Sequence, residues 1–204
     1  MTNLFKIMRG WPESAVIPRA RVISDNDYAG DPDGLIQLAH HLLCRSVDVV
    51  GVIGTHHRSW GETKLEETPE LAADIARKVA KLSDRKHVPV VTGVGPAMSD
   101  HRDPLNSDGV QMIIREAMRD DVDTPLYVCC GASLTEIACA WLLEPRIAER
   151  LTVVWIGGHE HNGPVAPGAP DAEYNLAIDP VAVQVVFNDS NLRIWQIPRD
   201  VYRQ

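Results

Sequence analysis

The stretch Arg21-Val-Ile-Ser-Asp-Asn-Asp-Tyr-Ala-Gly-Asp-Pro-Asp-Gly34 decides the reading of this chain. It opens with an apolar run that predicts a strand over 21–24. It leads into a helical pattern with Leu35, Leu38, Ala39, Leu42 and Leu43 on one face. Between the two, Asp25, Asp27, Asp31 and Asp33 place four carboxylates within nine residues. Like charges packed this closely repel unless a cation takes them up. An all-oxygen donor set suits a hard ion such as Ca²⁺ or Mg²⁺. The plainer alternative is a solvated turn in which Asp31 or Asp33 caps the helix, a task that needs only one acid.

Outward from this loop, short apolar strands alternate with helical patterns. Strands are expected at 49–53, 88–91, 126–130, 151–156 and 192–197, and helices at 70–82, around 110–118, at 134–143, at 145–150 and at 180–187. Pro180 suits the first turn of the last helix. Strand–helix alternation implies a three-layer α/β domain with a mostly parallel, Rossmann-like open sheet, read here as one unit over residues 1–204. Such sheets bind ligands beyond the carboxyl ends of their strands. The loops after Ser24, Ile53, Cys130 and Ile156 are therefore where a site is expected.

Composition narrows the partners. With 45% hydrophobic residues, the 204-residue chain can build a real core. A formal net charge of -8 argues against a nucleic-acid backbone as partner, because phosphates need clustered Lys and Arg. The first twenty residues hold charges and prolines and no apolar run, so neither a signal peptide nor a membrane span is expected. Cys44, Cys129, Cys130 and Cys139 form no CxxC pair and read as reduced thiols of a cytoplasmic protein.

Known acidic loops can be tested against this one. An EF-hand needs an acid at its fifth position and Glu at its twelfth; counted from Asp25 these are Ala29 and Ile36, so it fails. Haloacid-dehalogenase phosphatases carry DxDx(T/V), and Asp25-Asn-Asp27 fits its start, with Ala29 in place of Thr or Val. The nucleoside hydrolases carry DxDPGxDD after their first strand. Asp25 and Asp27 match its first two acids, and either Asp31 or Asp33 matches the next, according to whether a gap is allowed. Further segments are similar in family order: Asn106-Ser-Asp-Gly109 to a substrate loop, Cys130-Gly-Ala-Ser-Leu-Thr-Glu-Ile-Ala138 to GPLTNIA, Leu143-Glu-Pro-Arg-Ile147 to LEPRI, Ile156-Gly-Gly158 to MGG, and Ala172-Glu-Tyr-Asn-Leu-Ala-Ile-Asp-Pro180 to AEFNIxxDP. On these segments the chain resembles the inosine-uridine preferring, calcium-dependent nucleoside hydrolases from about residue 21 to 190.

The resemblance implies hydrolysis of the N-glycosidic bond of ribonucleosides. It implies a Ca²⁺ ion held by Asp27, by Asp31 or Asp33, and by the Gly131 carbonyl, with Asp27 as general base for a metal-bound water. It implies that Asp31, Asp33, Glu173, Asn175 and Asn162 hold the ribose. For Glu173 and Asn175 the residues themselves leave a helix cap open as the alternative. Asp179-Pro180 reads as a helix start without chemistry. His56 and His57 follow the second strand and can face the site, Trp60 is a candidate wall for the base, and His159-Glu160-His161 is too tightly spaced for a zinc helix.

Relatives in this family continue beyond the point where the present chain stops and carry a His-Asp pair there. The expectations that follow are a fragment or truncated gene product, a site completed by a partner chain, or a non-catalytic relative that binds metal or ribosides. A Mg²⁺-dependent phosphatase is the further alternative. The family also forms dimers and tetramers, so a homo-oligomer acting on a small-molecule nucleoside is expected, with no nucleic-acid or membrane partner.

Overall fold

A computed structural model describes residues 16–30, 32–57, 68–161 and 172–203. Six strands, β1 (Ala20–Asn26), β2 (Val47–Gly54), β3 (Val90–Thr92), β4 (Leu126–Cys130), β5 (Leu151–Ile156) and β6 (Arg193–Ile197), form one sheet in the order β3-β2-β1-β4-β5-β6. Every pairing is parallel. The chain's progress along the sheet reverses between β1 and β4. A crevice opens at such a switch point, beyond the carboxyl ends of the strands, and the acidic stretch leaves β1 there.

The helices are α1 (Pro32–Leu43), α2 (Pro69–Leu82), α3 (Asp108–Ala117), α4 (Thr135–Leu143), α5 (Tyr174–Ile178), α6 (Pro180–Gln184) and α7 (Arg199–Tyr202). Their starts follow local chemistry. Thr68 accepts from the Leu71 amide and Ser107 from the Val110 amide, while Pro32, Pro69 and Pro180 occupy first turns that need no N–H there. Helices α1 and α2 cover one face through Leu38, Leu42, Ala72, Ala76 and Ala80 against Val49 and Val52. Helices α3, α4 and α6 cover the other through Ile113, Ile137 and Ala182 against Ile23, Ile53, Val128 and Val153. None of the helices among the described residues is long and apolar enough to cross a membrane.

Strand pleat and register then assign the remaining side chains. Asp25 lies level with Ile53 and Cys130, on the face of α3 and α4. Ser24, Cys129, Val154 and Trp195 lie level with one another on the face of α1 and α2. On β4, β5 and β6 that second face is poorly covered: Tyr127, Cys129 and Val154 are partly exposed, and Trp195, 5.3 Å from the Tyr127 ring, is 55% exposed.

Two expectations shift. The third strand pairs over 90–92 rather than 88–91, because the Val88 amide closes a turn on the Arg85 carbonyl and Pro89 has no N–H for a ladder. The helix expected over 180–187 keeps α geometry to Gln184 and then widens into a π turn over Val185–Asp189.

Candidate active site

The loop leaving β1 is built around Asn26. Its Oδ1 accepts the Asp27 amide at 2.9 Å and its Nδ2 donates to Gln37 of α1 at 2.8 Å. The side chain is wedged between Gly34 and Gly131, where an added Cβ would meet Asn26 atoms at 2.9 and 2.1 Å. Both glycines are thus required by close approach. Asp25 and Asp27 are buried on either side of Asn26. The Gly30 amide returns to the Asp27 carbonyl at 2.7 Å and turns the chain toward α1. Asp33 is exposed in the first turn of α1 and accepts the Gly34 amide. Asp31 lies outside the described residues, as do Trp60 and Asn162.

Opposite this loop stand the segments after β4 and β5. They are locked together by Trp155, a wholly buried side chain whose Nε1 donates to the Ala132 carbonyl at 2.9 Å. Asn175 spans the gap between them: its Nδ2 donates to the Gly131 carbonyl at 3.1 Å and to the Ile156 carbonyl at 2.7 Å. Glu173 caps α5. Its two oxygens accept four donors, the amides of Gly158, Asn175 and Leu176 and the hydroxyl of Tyr202. Helix α7 is strapped over this corner by Arg199, which is buried and grips Glu160 with two 2.7 Å contacts. That grip holds the Glu160 carboxyl down to about 2.

A cavity of about 150 Å³ results, lined by Asp27, Asp33, Gly131, Glu173, Asn175 and, from α7, Tyr202 and Arg203. It brings together the candidates Asp27, Asp33, Gly131, Glu173 and Asn175, whereas His56 and His57 do not line it. A neighbouring cavity of about 270 Å³ shares Asp33 and Gly131 and runs past Gln37 toward the poorly covered face at Val154 and Ile197.

Beneath the cavity lies a layer that sequence reasoning missed. Glu136, on the first turn of α4, is wholly buried; its Oε1 accepts Thr55 Oγ1 at 2.7 Å and the Val94 amide at 2.8 Å. His56 is also buried, and its Nδ1 meets the Val94 carbonyl at 3.0 Å. Burial, then the charges of Glu136 and Asp27, pushes the Asp25 carboxyl well above the usual range. Burial likewise raises Glu136, partly offset by the charge of His56. Asp25 Oδ1, Glu136 Oε2 and His56 Nε2 are buried without a hydrogen-bond partner among the described residues. Such orphans are uncommon and call for an explanation.

A hard cation fits this neighbourhood. The lining includes carboxylates and a backbone carbonyl, and a positive charge there would offset the repulsion from Glu136 and Asp27 that adds to burial in raising Asp25. Among the described residues no three His, Cys, Asp or Glu side chains already stand at ligand spacing. The fit rests on Asp27, Asp33 and the Gly131 carbonyl.

The model of the inosine-uridine preferring nucleoside hydrolase family matches residues 22–204. The chain belongs to that family. Its similarity to an inosine-uridine preferring nucleoside hydrolase of Crithidia fasciculata is 30% identity over 195 residues, 87% of this chain and 58% of that protein. For a Leishmania major nucleoside hydrolase of the same description the figures are 34% over 147 residues, 70% of this chain and 41% of that one. The chain thus spans about half the length of these relatives. Among solved structures, a plant nucleoside hydrolase superposes with a TM-score of 0.66 at 18% identity, over 90% of this chain and 61% of that one. A purine-preferring ribonucleoside hydrolase from Gardnerella vaginalis superposes at 0.64 and 20% identity, over 88% and 61%. These two likenesses establish the nucleoside-hydrolase-like α/β fold.

Within the family frame, Glu136 stands where the GPLTNIA segment has Asn, an exchange visible in the sequence alone. Tyr202 and Arg203 carried no signal, since their place in the cavity depends on α7 folding back over β5.

Proposed function

We propose that this chain hydrolyses the N-glycosidic bond of ribonucleosides or related ribosides to base and ribose, with Asp27 as general base for a metal-bound water. One observation carries the reading: Asp27, Asp33, Gly131, Glu173 and Asn175 line one cavity at the carboxyl edge of the sheet. Family membership adds its weight, since the relatives are named for this reaction.

In this reading Ca²⁺ is held by Asp27, Asp33 and the Gly131 carbonyl, with Asp31 as a further carboxylate of the same loop. When bound, the ion lowers the pKa of its water and offsets the clustered negative charge. Asp27 accepts the proton of that water. Asp33, at the open side of the cavity, accepts hydrogen bonds from ribose hydroxyls. Asn175 spends its amide hydrogens on the carbonyls of Gly131 and Ile156, so its Oδ1 is the atom left to face a hydroxyl. Glu173 supports the ribose chiefly by fixing the start of α5. Asn162 is proposed as a further ribose contact. The surrounding carboxylates stabilise the positive charge that builds on the sugar as the C–N bond breaks.

A reducing-sugar assay with inosine and uridine, with Ca²⁺ and then with a chelator, tests the reading. The expected result is metal-dependent ribose release that disappears in Asp27→Asn. A second reading, a catalytically silent relative that binds metal or ribosides, is favoured by Glu173, whose oxygens already accept four protein donors. It predicts calorimetric binding of Ca²⁺ or riboside without turnover. Phosphate release from a phosphomonoester with Mg²⁺ would instead support the phosphatase alternative, which family membership disfavours.

Two further expectations belong here. The partly exposed face of β4–β6 around Tyr127 and Trp195 is proposed to be covered by a second copy, giving a homo-oligomer, because exposed apolar faces drive association. Light scattering that finds only monomer at micromolar concentration would refute it. Cys44, Cys129, Cys130 and Cys139 are free thiols, which supports a reducing compartment such as the cytoplasm.

A further inference from the structure

At the opposite end of the sheet from the acidic cavity, a second cavity of about 240 Å³ lies between the end of α1, the start of β2 and the loop before β3. Its charge is of the other sign. His41 and Arg45 reach it from the end of α1, and Arg85 and His87 from the loop; Asp48 is the one acid in its lining. In a chain of net charge -8, two arginines and two histidines around one cavity run against the overall balance.

Arg85 donates its Nε to the Leu42 carbonyl at 3.0 Å, capping α1, and its two terminal nitrogens form no hydrogen bond or ion pair among the described residues. That bond fixes the plane of the guanidinium and leaves the fork available. Arg45, His87 and Asp48 form no hydrogen bond or ion pair among the described residues. The Nδ1 of His41 is buried and has no hydrogen-bond partner among the described residues. Uncommitted cationic forks, together with an orphaned ring nitrogen, suit a compact oxyanion that accepts several charge-assisted hydrogen bonds at once.

We propose that this cavity is a binding site for a phosphate dianion, either free or carried as a phosphomonoester, with Arg45 and Arg85 as its principal ligands and His41 and His87 as further donors. The site is separate from the acidic cavity, with which it shares no lining residue. It stands or falls independently of the hydrolase reading. Asp48 sits on its wall as a counter-charge that weakens anion binding.

The test is calorimetric titration of the full chain at constant ionic strength with inorganic phosphate, with methyl phosphate, and with chloride as the blank. The expected result is saturable one-site binding of phosphate that weakens about tenfold or more in Arg45→Ala, the loss of one charge-assisted contact. Asp48→Asn is expected to bind more tightly than the unaltered protein, and Asp27→Ala to bind equally. Arg45 and Asp48 form no other hydrogen bond or ion pair among the described residues, so these variants avoid the loss of the α1 cap that Arg85→Ala would bring. Methyl phosphate binding as well as phosphate assigns the site to phosphomonoesters; binding of phosphate alone assigns it to the free ion. No saturable binding, or binding unchanged in both Arg45→Ala and Asp48→Asn, overturns the proposal.

Discussion

Two acidic corners of the same cavity are built on opposite plans. In the corner after β5, Glu173 is buried and its oxygens accept four protein donors, while neighbouring Glu160 is gripped by Arg199 through two contacts. In the corner after β1, Asp25 is just as buried, yet its Oδ1 has no partner among the described residues, and burial, then the charges of Glu136 and Asp27, push it up. A carboxylate with enough donors is a structural element. One that is buried beside other acids is a cost to the fold, and it persists where a ligand is meant to offset it. In the proposed reading the β5 corner holds the shape of the cavity and the β1 corner holds its chemistry.

The largest effect that would break this comparison concerns activity. Asp27→Asn is expected to lower ribonucleoside hydrolysis by roughly 10²–10⁴-fold, the usual worth of a general base. The same substitution removes a charge that repels Asp25, so the metal-free melting temperature should barely fall. If Asp27→Asn destabilises the protein while leaving its turnover intact, the β1 corner is structural and the assignment is wrong.

Glu173→Ala should show the reverse balance. It removes a helix cap and leaves the Gly158 amide and the Tyr202 hydroxyl without their acceptor. The expected cost is about 2–4 kcal/mol, read as a fall in melting temperature of about 2–4 °C for each kcal/mol. Tyr202→Phe deletes only one of the four donors and should cost about 1 kcal/mol. Calorimetry on the two variants checks the order. A Tyr202→Phe loss as large as that of Glu173→Ala would mean that α7 itself, rather than the cap, holds the corner.

The sequence carried these corners unequally. The β1 corner was legible because four acids between a strand and a helix have few purely structural uses, and the sheet because alternating apolar runs have few other folds. Helices α5 and α7 were not legible. At five and four residues they are shorter than any hydrophobic period can register. Tyr202 therefore could not be connected to Glu173 across 29 positions. For Glu173 the residue types allow both a ribose contact and a cap, and its four donors make it a cap. Glu136 was hidden differently. It sits in the apolar run of α4, where one acid near a helix start looks like a surface residue favoured by the helix dipole. Its inward direction shows only in the folded chain, where its Oε1 accepts from Thr55 and the Val94 amide and its charge acts on Asp25.

Glu136 also gives the smallest and most diagnostic effect. Its carboxyl titrates above the ordinary range in the folded protein, by burial, so the folded state holds this proton more tightly than the unfolded chain does. The contribution to stability is then fully present below the ordinary carboxylate pKa and is lost as pH rises through the raised folded value. Glu136→Gln removes that dependence. Its carbonyl oxygen can still accept from Thr55 and the Val94 amide, and its amide offers hydrogens where Glu136 Oε2 has no partner. The metal-free variant should therefore match the unaltered protein in acid and become relatively more stable as pH rises toward neutrality. The gain is limited, because the variant forfeits the favourable charge of His56. Melting temperatures of both proteins, taken in chelator from pH 4 to pH 8, measure it. A difference that shrinks with rising pH would show that His56 outweighs burial and that the layer beneath Asp27 is a satisfied ion pair, which would put it with the β5 corner instead.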